Sequence, residues 1–241
     1  MRQDQKIQTR FEHFAAKSPE KVAISTESKV FTFGEMNAYG NMIARELFQK
    51  GIKPGSSVAI CLKKRAEFLI CALGVWKAGC VVCPILPNQK PNLLNRKLHE
   101  LNASCVITSK ATSSFFKFSQ HNKLEVSQSF FRDRTFSQTN PKAEMTTSAA
   151  IRIFSEEEGH FNEHTHKEVI ENAEKLYERL KQDKEHRIHA LSQPMEFINF
   201  LNYAVAPLIF GGQMTHASYA QFRFDFECDI TVSDDNTLIY A

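Results

Sequence analysis

An α/β fold with doubly wound, mostly parallel sheets and flanking helices is what the sequence predicts, and three observations predict it. Apolar runs at 57–62 and 80–84 bracket a helical run at 66–78, a strand–helix–strand unit whose crossover should be right-handed. A helix over 93–101 followed by an apolar run at 104–108 repeats the alternation. Beyond residue 148, an amphipathic helical pattern at 165–180 and an apolar one at 196–210 continue it.

Taken in order, residues 5–17 carry Ile7, Phe11 and Phe14 at helical spacing, and Ser18-Pro19 stops that helix. Short β-prone runs at 22–25 and 30–33 flank Glu27-Ser28-Lys29, which reads as a hairpin. Thr32 with Glu35 three residues on is a reciprocal cap, so a helix starts there and runs to about Lys50. Met36, Tyr39, Met42 or Ile43, and Leu47 form its buried stripe. Gly51 supplies a left-handed cap and Pro54-Gly55 the next turn, while Gly79 ends the 66–78 helix and Pro87 and Pro91 bracket a loop. Between 110 and 147 the pattern weakens. Polar residues interleave with Phe115, Phe116, Phe118, Phe130, Phe131 and Phe136, which reads as a surface connection with aromatic anchors and room for one short strand. Val169, Ala173, Leu176 and Leu180 stripe the next helix, 187–191 reads as a strand, Gly211-Gly212 closes the 196–210 helix, and 222–241 holds one or two strands.

The 241 residues suffice for one large domain or two small ones, with 42% hydrophobic content for a core. Thirty basic against 27 acidic residues leave no electrostatic case for nucleic acid. The longest apolar runs, 68–76 and 204–212, are far shorter than a bilayer span, and the polar first residues lack a secretory segment. The expected compartment is the cytoplasm, with no membrane partner. Six cysteines fit it as free thiols. Cys80 and Cys83 form a CxxC, but no second pair completes a zinc set and the Val-Val between them reads as buried strand, so core packing is the expectation.

The chain's chemistry should concentrate at 153–166, IFSEEEGHFNEHTH, followed at once by a helical run from Lys167. A strand end, a turn with one glycine and then a helix is the layout in which backbone N–H groups and a helix N-terminus hold a phosphate. A phosphate cradle needs glycines for close approach, hydroxyls to donate and a lysine to neutralise. Here Glu156, Glu157, Glu158 and Glu163 occupy that space, and the three adjacent carboxylates, Glu156 to Glu158, would each repel a triphosphate by roughly 1 kcal/mol or more at close range. At a helix entrance the acidic run has a structural explanation in the macrodipole. His160, His164 and His166 with Glu158 and Glu163 have metal-ligand chemistry, but a solvated loop cluster is the expectation, and no metal site is assigned. No serine lies in a GxSxG elbow, and no catalytic residue is assigned.

Over residues 12–109 the order of signals resembles the N-terminal part of the adenylate-forming enzymes, the superfamily of nonribosomal peptide synthetase adenylation domains and acyl-CoA synthetases. FEHFAAKSPEKVAI, the long run from FTFGEMNAYG to VVCPILP, and LNRKLHELNASCVITS carry the likeness, most closely to the peptide-synthetase adenylation domains. THKEVIENAEKL is similar to the helix after that family's nucleotide loop, and NYAVAPLIFGG to a later core helix. The family's loop reads TSGSTGxPKG and binds the ATP phosphates. Against it Ser155 and Gly159 keep their types, Glu156, Glu157 and Glu158 replace Gly-Ser-Thr, His160 to Glu163 replace the end, and the gap to Thr165-His166 is shortened.

The resemblance implies an adenylation-like domain, truncated and with a degenerate nucleotide loop. The organisation expected is a first α/β lobe at 1–109, a variable connection at 110–147 and a second α/β part at 148–241. The elements that in the family hold adenine, ribose and acyl substrate, and the lid with its catalytic lysine, would lie beyond Ala241. The expected function is that of a catalytically inactive pseudo-domain with a structural or protein-interaction role, tied to a peptide-synthetase system. No cofactor is expected. The missing remainder should leave apolar surface uncovered, so a protein partner, possible synthetase modules among them, or self-association is expected. One alternative is a fragment of an active acid or amino-acid ligase using ATP and magnesium, for which Ser155, Gly159 and Thr165 are the available loop contacts. A second is a non-catalytic module binding an acyl or CoA-like ligand.

Overall fold

The computed structural model describes residues 6–26, 29–63, 65–87, 89–116, 122–127, 130, 139–155, 158–182, 197–217, 221–225, 229–232 and 238–239. In chain order its elements begin α1 (Ile7–Lys17), β1 (Val22–Thr26), β2 (Val30–Thr32), α2 (Phe33–Gln49), β3 (Ser57–Cys61) and α3 (Arg65–Lys77). They continue β4 (Val81–Pro84), α4 (Pro91–Glu100), β5 (Cys105–Ser109), α5 (Lys110–Ser113), a short 3-10 turn, β6 (Asn122–Val126), β7 (Ala149–Phe154) and β8 (Phe161–Thr165). The rest is α6 (His166–Gln182), α7 (Phe197–Phe210), β9 (Gln213–Ala217), β10 (Gln221–Asp225), β11 (Asp229–Val232) and β12 (Leu238–Ile239). Two units result, one from residues 1–36 with 166–241 and the other from 37–165.

The 37–165 unit holds a sheet in the order β6-β5-β3-β4-β7-β8, parallel throughout except that β8 runs antiparallel on β7. Its central strands read as continuous apolar runs because both faces are covered: all of β3 is buried, as are Val81, Val82 and Cys83. Helix α3 has no polar face along 68–76, and those residues are buried. Trp76 Nε1 donates to the Ala150 carbonyl at 2.9 Å, tying α3 to β7. Helices α2 and α3 meet through glycines. A Cβ on Gly74 would overlap the Ile43 side chain and lie 2.9 Å from the Gly40 carbonyl oxygen.

The other unit's sheet runs β12-β11-β10-β9-β1-β2, where only β1 and β9 are parallel. The mostly parallel pattern therefore belongs to the 37–165 sheet, and this second sheet is mixed. Helices α1, α6 and α7 pack together in this unit. Arg10 bridges to Glu174 at 2.6 Å, Tyr177 stacks on Phe210 with ring centres 4.3 Å apart, and Phe11 meets Phe33 at 5.5 Å. The Thr32–Glu35 cap forms in both directions: Glu35 N–H donates to Thr32 Oγ1 at 3.1 Å and Thr32 N–H to Glu35 Oε2 at 3.0 Å.

Three expectations need correction. The helix does not follow the acidic turn directly: 161–165 form β8, and α6 starts only at His166. Glu158 thus lies on a hairpin turn, not at a helix entrance, so the macrodipole does not explain it, while Glu156 and Glu157 lie outside the described residues. The stretch 222–241, expected to hold one or two strands, holds β10, β11 and β12, with β9 before it, and the strand expected at 187–191 lies outside the described residues. Among the described residues, the exposed large apolar side chains are Val30 and Leu86, each at 47%. No described helix is long and apolar enough to cross a membrane.

Candidate functional site

Strand β7 is parallel to β4 and ends at Phe154, which places the turn after it at the carboxyl edge of the parallel sheet, where ligands of α/β folds gather. The turn is a hairpin: Phe154 pairs with Phe161 and Ala149 with Thr165 across β7 and β8. Its own hydrogen bonds close it. Ser155 N–H donates to the His160 carbonyl at 2.8 Å, Gly159 N–H to the Ser155 carbonyl at 2.9 Å, and Glu158 N–H to Ser155 Oγ at 3.2 Å. Gly159 has φ +71°, the left-handed conformation that lets the chain turn back.

Side chains reinforce that closure. Asn162 donates to Glu158 Oε2 at 2.9 Å, and His160 Nε2 lies 3.4 Å from the same oxygen. The Asn162 amide first, outweighing an opposing effect of desolvation and helped by the His160 and Ser155 contacts, holds the Glu158 carboxyl below its usual range. Glu158 therefore stays an exposed anion in the turn. Of the residues expected at the loop, Ser155 and Gly159 come together here. Thr165 does not: it ends β8, four strand steps away, roughly 14 Å at 3.4 Å per residue.

The histidines and carboxylates also disperse. Glu163 pairs with Arg152 at 2.8 Å, and Arg152 also donates to Ser57 Oγ at 2.6 Å. His164 stands opposite Ile151 in the strand pair. His166 is fully buried at the start of α6, where its Nδ1 accepts the Ile7 N–H at 3.4 Å. Burial, and then the charge of Lys6, push its imidazole down to about 4, so it is neutral at physiological pH. Among the described residues no three His, Cys, Asp or Glu side chains gather as a metal site. The CxxC is core: Cys80 and Cys83 are buried, and burial pushes both thiols up to about 12.

The sequence reading missed the aromatic neck beneath the turn. Phe154 and Phe161 meet edge to face with centroids 5.0 Å apart, and Phe161 packs against the core of Leu94, Leu98, Val106 and Phe116. The ammonium of Lys97 on α4, only 5% exposed, lies 4.3 Å from the centre of the Phe154 ring and donates to Gln89 at 3.1 Å. The one available signal was a phenylalanine on each side of an acidic turn. Lys97 lies 57 positions before Phe154, beyond any local pattern.

Comparison with known proteins matches the chain to a family. A family model described as AMP-binding enzyme matches residues 11–157, more than half of the chain. Tyrocidine synthase 2 of Brevibacillus parabrevis is 36% identical over 107 residues, covering 44% of this chain and 3% of that protein. Gramicidin S synthase 2 of Brevibacillus brevis is 33% identical over 106 residues, 44% of this chain and 2% of that protein. The chain thus spans a small fraction of these relatives' length. Among solved structures, a fatty acyl CoA synthetase of Mycobacterium tuberculosis superposes with TM-score 0.71 at 18% identity, over 87% of this chain and 44% of that one. The nonribosomal peptide synthetase FmoA3 does so with TM-score 0.73 at 21% identity, over 85% and 22%. These superpositions show the fold, and the family match over 11–157 adds the lineage: the chain belongs to the AMP-binding enzyme family.

Proposed function

We propose that this chain is an adenylation-like domain that does not hold nucleotide at its hairpin turn and acts as a structural or protein-interaction element beside peptide-synthetase modules. The turn carries the reading. An anion cradle needs several backbone N–H groups aimed at one point, and here the amides of Ser155, Glu158 and Gly159 are spent on oxygens of the turn itself. The side-chain charge next to them is the carboxylate of Glu158, the wrong sign for a phosphate. The residues present therefore do not fit a triphosphate. Peptide-synthetase context is supported by the relatives, whose names are those of peptide synthases. Fold and activity are separable: the core strands around the turn keep their apolar pattern while the turn's chemistry differs.

Titration calorimetry with ATP and Mg²⁺ tests this reading. The expected result is no saturable heat into the millimolar range. Saturable binding, accompanied by shifts of the Ser155 and Gly159 amides, would favour the ATP-dependent ligase instead.

A further inference from the structure

Three side-chain donors on α2 and α3 close on one point in the 37–165 unit, and none belongs to the hairpin turn. Asn37, Asn41 and Arg45 follow one another at four-residue spacing, so they stand on one face of α2. Lys77 joins them from the last residue of α3. Its stem lies where α2 carries no side chain, since a Cβ on Gly40 would come within 3.4 Å of Lys77 Cδ. Asn41 is 0% exposed, Lys77 2% and Asn37 9%. The point they share is the side-chain oxygen of Asn140, 3.0 Å from the Asn37 amide, 3.2 Å from that of Asn41 and 3.4 Å from the ammonium. Arg45 donates to the carbonyl one residue earlier, that of Thr139.

Two cations and two amide donors thus meet two neutral carbonyl oxygens. An amide oxygen has two lone pairs and no charge, whereas a carboxylate offers two oxygens, about four acceptor sites and a full negative charge. Hydrogen bonds to an ionised acceptor are about twice as strong as neutral ones. The cost of stripping water from the Lys77 ammonium is already met by the packing of α3 on α2, so a carboxylate arriving there bears only its own. The segment that seats Asn140 is a strap. Residues 139–148 form neither helix nor strand, and Lys142, Glu144, Thr146 and Ser148 are exposed at every second position. It rests on two turn glycines: a Cβ on Gly79 would come within 3.2 Å of Ala143 Cβ, and one on Gly55 within 2.5 Å of Thr146 Oγ1. A segment so exposed lifts at less cost than the sheet opens.

We propose that the notch of Asn37, Asn41 and Lys77 is a carboxylate-binding site, closed in the resting chain by the side-chain amide of Asn140, and that a carboxylate ion of formate size takes that place when the strap lifts. The inference stands apart from the reading of the hairpin turn, since it uses none of the turn's residues. Asn140→Ala removes one carboxamide group, the size of formamide or formate, and leaves the donors in place. Urea unfolding of this variant, read by the buried Trp76, is compared in sodium formate, formamide and sodium chloride at about 0.5 M each. Formate should bind with a dissociation constant on the order of 100 mM and so raise the folded-to-unfolded ratio about sixfold over chloride. Formamide, of the same shape without the charge, should change that ratio less than about twofold, as should formate on the parent chain, where Asn140 fills the notch. The ¹H–¹⁵N signals of the Asn37 and Asn41 side-chain amides should shift in the variant with formate and not with formamide. Asn140→Ser, a smaller truncation, carries the same comparison where the alanine form does not fold. An equal effect of formamide, an equal effect of formate on the parent, or no gain over chloride in the variant would each overturn the proposal.

Discussion

The side-chain carbonyl of Asn140 accepts the amide of Asn41 at 3.2 Å, and Asn41 is fully buried on α2. The same oxygen accepts from Asn37 at 3.0 Å and from the ammonium of Lys77 at 3.4 Å, so three donors converge on an acceptor with two lone pairs. Lys77 is only 2% exposed, which makes the contact charge-assisted in a low-dielectric setting. The guanidinium of Arg45 also donates to the Thr139 carbonyl, so residues 139–140 are pinned to α2 and α3 together.

Removing that acceptor should destabilise the unit by about 1–3 kcal/mol, the cost of leaving buried donors short of a partner. Asn140→Ala is expected to lower the urea midpoint accordingly. Asn140→Asp puts a full negative charge opposite the Lys77 ammonium and should match or exceed the parent at neutral pH. It should lose the advantage once the carboxylate is protonated. A destabilised Asp variant at pH 7 would show that the three donors do not share this oxygen in solution.

His166 makes stability depend on pH with a defined sign. Its folded value near 4 lies below the ordinary 6.5, so between those limits the unfolded chain binds the extra proton. Stability should therefore rise with pH from about 4 to 6.5 and be fully present above 6.5. The span is worth roughly 3 kcal/mol at 1.36 kcal/mol per unit. Urea unfolding at several pH values reads it directly. His166→Gln keeps an acceptor for the Ile7 N–H without a titrating ring and should flatten the slope in that window.

Trp76 is the only tryptophan, 1% exposed, with its indole N–H on the Ala150 carbonyl. Native fluorescence should therefore be blue-shifted and should move red in one step with loss of the 37–165 sheet. Trp76→Phe removes the donor from a buried carbonyl and opens space, and should cost about 1–3 kcal/mol. A midpoint unchanged by that substitution would mean the α3–β7 link carries little.

How much of this could be read beforehand follows the range of the interactions involved. The Thr32–Glu35 cap, the turns at Gly51 and Gly79 and the strands around α3 were legible because their causes lie within a few residues. Strand β8 was not. Its residues, Phe-Asn-Glu-His-Thr, are mostly polar and only partly covered at the sheet edge, so period-two alternation never stood out. At the candidate site, Ser155 and Gly159 were legible as turn residues. The strand between turn and helix moved Thr165 away from them. The Asn140 cluster and the Lys97–Phe154 contact join residues tens of positions apart, and no local pattern reports such a meeting.

The thiols give a chemical test of the same packing. Cys61, Cys71, Cys80, Cys83 and Cys105 are buried, and burial raises every one of them: the first, third and fourth to about 12, Cys105 to about 11, and Cys71 well above its ordinary value. The thiolate is the reactive form, so both access and ionisation oppose reaction in the folded chain. With a disulfide reagent such as Ellman's, these five should react only at the rate of unfolding, and all six cysteines should react at once in denaturant. Rapid native reaction at Cys80 and Cys83, or their loss as a disulfide under mild oxidant, would make the CxxC a redox pair and not the middle of a packed strand.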